Sequence, residues 1–136
     1  MRKRVLLADD DADDILLFQE VFADLPPNEY ELLTVGNGEA VIAVLDEISD
    51  LTKLPHLIIL DQNMPLMNGK ETLMRLKESP RYKEIPVVVY STYNEKPFIA
   101  ECAALGAQSV ISKPDSYEGY IQMINSLLKY SSDPSA

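Results

Sequence analysis

Short unbroken apolar runs alternate along this chain with stretches in which apolar residues recur every three or four positions. Val5-Leu6-Leu7-Ala8, Leu57-Ile58-Ile59-Leu60 and Val87-Val88-Val89-Tyr90 contain no polar alternation. Runs so short and so uniformly apolar predict strands covered on both faces. Tyr30 to Val35 and Ser109-Val110-Ile111 predict two more strands, and the third strand is expected to begin at His56. Between them, Ile15, Leu16, Phe18, Val21 and Phe22 fall at helical spacing. Ala40, Val41, Val44, Leu45 and Ile48 line one face of a helix over 39–48, and further helices are predicted over 70–77, 96–105 and 117–130. The breakers sit at the boundaries: Pro26-Pro27, Gly36-Asn37-Gly38, Ser79-Pro80 and Gly106.

Five strands, each followed by a helix, imply a parallel sheet with helices on both faces. The expected fold class is α/β, a flavodoxin-like doubly wound five-stranded sheet of order 2-1-3-4-5 with five helices. Residues 1–130 read as one domain and 131–136 as a polar tail, with no internal repeat or low-complexity tract. The chain is expected to end with its fifth helix, without an attached output domain.

Composition narrows the classes. At 136 residues, with 46% hydrophobic and 25% charged residues, the chain matches an ordinary globular domain. A formal net charge of −10 argues against gripping nucleic acid or anionic lipid through a basic face. The lone cysteine, Cys102, excludes an intramolecular disulfide. The N-terminal apolar run is too short for a signal peptide, and no run approaches the ~20 residues needed to span a bilayer. A soluble cytoplasmic protein is the expectation.

Four predicted strands end in unusual polar residues. Asp9, Asp10 and Asp11 follow the first, Asp61 the third, Ser91 and Thr92 the fourth, and Lys113-Pro114 the fifth. In a 2-1-3-4-5 sheet the first and third strands are neighbours at the topological switch point, where ligands bind. Asp9, Asp10 and Asp61 would converge there and repel one another unless a cation relieved them. Oxygen donors alone, with room for water and a phosphate oxygen, suit Mg²⁺. Lys113 supplies a second positive charge beside Asp61, and a Ser91 hydroxyl could bond a phosphoryl oxygen. A carboxylate between a metal and a lysine is a site for phosphoryl transfer.

In this constellation the chain resembles the receiver domain of two-component response regulators over about residues 3–130. The resemblance rests on Asp9-Asp10, on Asp61-Gln62-Asn63-Met64-Pro65 with Gly69, on Ser91, and on Lys113-Pro114, in that order. It implies a single-domain phosphoacceptor, similar to chemotaxis response regulators, that is not an enzyme beyond self-catalysed phosphorylation and dephosphorylation. Asp61 would receive phosphate from a histidine kinase or histidine phosphotransfer protein. Asp10, Asp61 and the backbone carbonyl of Asn63 would ligate Mg²⁺, with Asp9 holding a metal-bound water. Ser91 would move toward the phosphoryl group, and the face made by helix 4, strand 5 and helix 5 would shift to signal a downstream protein. A homodimer through that face is a further expectation.

Two positions depart from the family. Three residues before the lysine, where the family carries Tyr or Phe, stands Val110, which has no ring to exchange between exposed and buried rotamers. Thr92 replaces a small residue after Ser91, and Tyr93 is expected to hinder the water that removes the phosphate.

Plainer roles are expected elsewhere. Asp11, Asp13 and Asp14 read as acids stabilising a helix N-terminus. His56 sits at the wrong end of its strand to carry phosphate, and Cys102 reads as a small packing residue. Tyr117, Tyr120 and Tyr130 read as packing or surface residues. Three other functions share parts of this pattern. A haloacid-dehalogenase-type phosphatase would place its nucleophile after the first strand, with a second acid where Asn63 stands. A flavin mononucleotide carrier would need a hydroxyl-rich phosphate loop where this chain has five aspartates in six positions. A degenerate receiver would bind partners without phosphorylation.

Overall fold

The structure, a computed structural model, describes residues 2–26, 28–92 and 95–131. Pro27, Tyr93 and residues 132–136 of the expected tail lie outside the described residues, while Ser131, its first residue, is buried in a 3₁₀ turn and donates its hydroxyl to the Leu128 carbonyl. The elements run β1 (Lys3–Ala8), α1 (Ala12–Ala23), β2 (Tyr30–Val35), α2 (Gly38–Asp46), β3 (Leu57–Asp61), α3 (Gly69–Glu78), β4 (Val87–Ser91), α4 (Lys96–Ala104), β5 (Ser109–Ser112) and α5 (Tyr117–Leu128). The sheet order is β2-β1-β3-β4-β5, with every pairing parallel.

The unbroken apolar runs are explained by burial on both sides. Alternate residues of the central strands face two separate cores. Leu6, Ala8, Ile58, Leu60, Val87 and Val89 pack with Val41 and Leu45 of α2, Leu73 and Leu76 of α3, and Cys102 of α4. Val5, Leu7, Leu57, Ile59, Val88 and Tyr90 pack with Phe18 and Val21 of α1 and with Tyr120, Met123, Ile124 and Leu127 of α5. Truncating a side chain such as Phe18 to alanine in so dense a core costs about 3–5 kcal/mol.

Local capping sets where the helices begin. Asp11, Asn37, Asn68 and Ser116 each accept a hydrogen bond from a first-turn backbone N–H, and Asn68 and Glu71 form a reciprocal capping box. Gly106 ends α4 with φ +104°, a conformation that side-chain-bearing residues seldom adopt.

Several expected boundaries move. β1 starts at Lys3, because Lys3 and Arg4 continue the ladder with Tyr30 and Glu31. β3 starts at Leu57, leaving His56 outside. α2 stops at Asp46, so Ile48 reaches the core from the following loop and not from the helix. A 3₁₀ turn at Leu51–Lys53 precedes β3, and a second at Lys129–Ser131 follows α5. Leu16, placed on the apolar face of the first helix by its spacing, is 52% exposed. No described helix is long and apolar enough to cross a membrane.

Candidate functional site

Parallel pairing puts the C-terminal ends of β1, β3, β4 and β5 on one edge. The register aligns Ala8 with Leu60, Asp61 with Tyr90, and Ser91 with Ser112. Asp9 and Asp10 therefore leave β1 beside Asp61, the last residue of β3. Each of these three acids offers a carboxylate oxygen lying within 4.8 Å of the others. Asp9 and Asp61 are buried and Asp10 is exposed, which leaves one open side.

Lys113 reaches into this group from the loop after β5. Its main-chain N–H donates to the Ser91 carbonyl at 2.9 Å, which anchors the loop. Its ammonium lies 3.2 Å from Asp61 Oδ2 and 3.9 Å from Asp9 Oδ2. Burial disfavours the ammonium, but the hydrogen bond to Asp14 and the charges of Asp9, Asp61 and Asp14 outweigh this and raise its pKa. Ser91, the last residue of β4, is 2% exposed. Thr92 beyond it is exposed, and Val110 packs partly buried against the α2–α3–α4 core.

The loop after Asp61 is tied back on itself. The Asn63 N–H donates to Asp61 Oδ1 at 3.2 Å, and the Lys70 N–H to Gln62 Oε1 at 2.8 Å. Gly69 lets α3 begin directly against this loop. A β-carbon at that position would lie 2.7 Å from the Asp61 carbonyl oxygen. Leu66, at the tip, is 73% exposed with φ 67°.

Two residues of the site were not assigned to it from the sequence. Asp14 belongs to more than the helix N-terminus: its Oδ2 is 2.8 Å from Lys113 Nζ and its Oδ1 accepts the Tyr120 hydroxyl at 3.1 Å. Tyr90 donates its hydroxyl to Asp9 Oδ2, and its ring centroid lies 4.8 Å from Lys113 Nζ. A tyrosine closing a valine run, polar tip at the strand's C-terminal end, was the available signal for the latter. Asp11 caps α1 as expected, and Cys102 is buried. His56 accepts the Arg4 main-chain N–H at Nδ1, 3.0 Å away. With Arg2, Arg4 and Lys53 it lines a concavity of about 360 Å³ at the opposite end of β1 and β3, remote from the carboxylates.

Burial pushes Asp9 up to about 8; the Asp11 N–H and Lys113 pull it down, and Asp61 pushes it further up. Burial thus favours the protonated form of Asp9 where no cation offsets its charge. All donors in the cluster are oxygens, at a spacing one ion can bridge, so the residues fit a hard divalent metal.

The response regulator receiver domain model matches residues 5–125. The two-component response regulator ORR3 of Oryza sativa subsp. indica is 36% identical over 81% of this chain and 79% of its own. The response regulator Rcp1 of Synechocystis is 29% identical over 92% of this chain and 86% of its own. Among solved structures, the phosphorylated cyanobacterial phytochrome response regulator RcpA superposes with a TM-score of 0.84 at 30% identity, covering 96% of this chain and 94% of that one. The Mn²⁺-bound form of Rcp1 gives 0.79 at 29% identity, covering 91% and 90%.

Proposed function

Because the chain belongs to the response regulator receiver domain family, we propose that it is a phosphorylation switch whose phosphoacceptor is Asp61. The observation that carries this reading is the position of Asp61: its carboxylate lies in the Asp9–Asp10–Asp61 cluster, with the Lys113 ammonium 3.2 Å away. The donor is a phosphohistidine on a histidine kinase or a phosphotransfer protein. An Asp61 oxygen attacks phosphorus, the P–N bond to histidine breaks, and the electron pair leaves with the histidine nitrogen. Lys113 offsets the charge on the transferring oxygens, and the Ser91 hydroxyl bonds one of them.

Asp9, Asp10, Asp61 and the main-chain carbonyl of Asn63 would hold Mg²⁺, Asp9 through a bound water. When bound, the ion supplies further positive charge to the phosphoryl oxygens. The Mn²⁺-bound Rcp1 structure supports a divalent cation in such a domain, and the phosphorylated RcpA structure supports modification of one.

The output is a change in the α4–β5–α5 face that a protein partner, or a second copy of this chain, recognises. The light anchoring of α4 supports this, since Cys102 is its one buried residue. New contacts to phosphate oxygens need only bias two arrangements of comparable energy.

Incubation with Mg²⁺ and acetyl phosphate should add one base-labile phosphate to Asp61, seen by mass spectrometry. No label on the wild type, or an undiminished label on Asp61→Asn, would overturn the reading. An unlabelled protein that still bound a partner would instead be a phosphorylation-independent binding module.

A further inference from the structure

We propose that Asp14 is a positioning residue for the phosphoryl site, holding the Lys113 ammonium in competition with Asp61 and linking it to α5 through Tyr120. This rests on the reading of Asp61 as phosphoacceptor and adds to it a residue outside the cation-binding cluster. Of the carboxylates around Lys113 Nζ, Asp14 is the nearest, at 2.8 Å against 3.2 Å for Asp61 and 3.9 Å for Asp9. Both members of that pair are largely enclosed, with side-chain exposures of 11% for Lys113 and 14% for Asp14, so solvent screens it little. The second oxygen of Asp14 accepts the Tyr120 hydroxyl. Tyr120 is itself 3% exposed, and its ring stands edge-on to Phe18 at 5.9 Å.

Asp14 thus joins the first turn of α1 to the loop after β5 and to α5, 99 and 106 residues further along the chain. A phosphoryl group on Asp61 adds negative oxygens on one side of an ammonium already pulled from the other. As Lys113 turns toward them it loosens its bond to Asp14, which keeps Tyr120 as its remaining hydroxyl donor. The contact at α5 then depends on the state of Asp61. Val110 leaves β5 without a ring for that task, whereas Tyr120 has both a ring and a hydroxyl within the network.

The test measures beryllofluoride binding in saturating Mg²⁺ by calorimetry on the full chain. Asp14→Asn removes the competing charge and keeps the shape, so affinity should rise about three- to tenfold. Tyr120→Phe leaves the Asp14 charge undivided on Lys113, so affinity should fall about two- to fivefold, and this loss should vanish in the Asp14→Asn background. Asp13→Asn removes a charge from the same helical turn without the Lys113 contact and should stay within about twofold of wild type. An effect of Asp13→Asn equal to that of Asp14→Asn would reduce the result to net charge and overturn the proposal. Wild-type affinity in both Asp14→Asn and Tyr120→Phe would also overturn it. If Asp14→Asn does not fold, an unchanged Tyr120→Phe suffices. A wild type that neither binds beryllofluoride nor labels with acetyl phosphate takes down the reading of Asp61 as well, whereas failure of the variants alone leaves that reading standing.

Discussion

The Tyr90 hydroxyl donates to Oδ2 of Asp9, so a side chain of β4 occupies an acceptor position on the carboxylate that follows β1. Asp9 Oδ1 already accepts the Asp11 N–H at 2.9 Å. Both oxygens of this buried acid are therefore held by the protein itself. Tyr90→Phe removes a hydroxyl bond and keeps the ring against Phe18. It should lower stability by about 1 kcal/mol, read as a shifted urea midpoint with an unchanged slope.

Asp9 makes stability and cation binding respond to pH in opposite directions. Its pKa is raised in the fold, to about 8 from 3.8. The folded state then binds more protons than the unfolded chain between those values, and stability falls as pH rises through that interval. Its contribution is fully present below 3.8 and lost once pH passes about 8. Cation binding must expel that proton, so Mg²⁺ affinity should climb with pH by up to about tenfold per unit and level off above 8. Asp9→Asn should be more stable than wild type without Mg²⁺ at pH 8.5 and should lack the climb. Thermal melts and calorimetry at several pH values check both expectations.

Lys113 is the one described cation within 4 Å of Asp61. Lys113→Met should slow labelling by acetyl phosphate at least about tenfold even at saturating Mg²⁺, because in the proposed mechanism the ammonium offsets phosphoryl charge and ligates nothing. A quantitative phosphate-affinity gel over time separates slower labelling from faster loss.

The loop after Asp61 contains two positions with opposite expectations. Leu66 has φ 67° and is 73% exposed, so it bears left-handed strain without packing in return. Leu66→Gly should raise stability by about 0.5–1 kcal/mol. Gly69→Ala would push a methyl against the Asp61 carbonyl, 2.7 Å away, and should cost about 1–3 kcal/mol. It should also reduce labelling, since the displaced backbone carries Asp61, the proposed phosphoacceptor. Urea titrations of the two variants test the signs.

The central strands were legible because residues covered on both faces leave no polar alternation, whereas the order 2-1-3-4-5 came from the doubly wound fold class. Val5–Ala8, Leu57–Leu60 and Val87–Tyr90 are all fully buried. Asp9 and Asp61 were legible for the same reason, each ending an apolar run where a charge is costly, and Lys113 by its place before Pro114 after a short strand. Asp14 was read only in part: it does lie in the first turn of α1, and that ordinary explanation hid its second role. Its partners lie 99 and 106 residues away, and nothing in the neighbouring sequence announces them. Leu16 erred the other way: its spacing is helical, but Phe18 and Val21 are the buried residues of α1.

The register of β1 on β3 joins residues more than fifty positions apart, and Asp9, Asp10 and Asp61 meet only when Ala8 sits opposite Leu60. A slip of one residue would send Asp61 to the other face of the sheet. With Asp61 as the proposed phosphoacceptor, phosphate capture would be reserved for correctly folded molecules. Partly folded or newly made chains carry all the required side chains and would stay unlabelled, so the labelled fraction of a preparation would also count its native population.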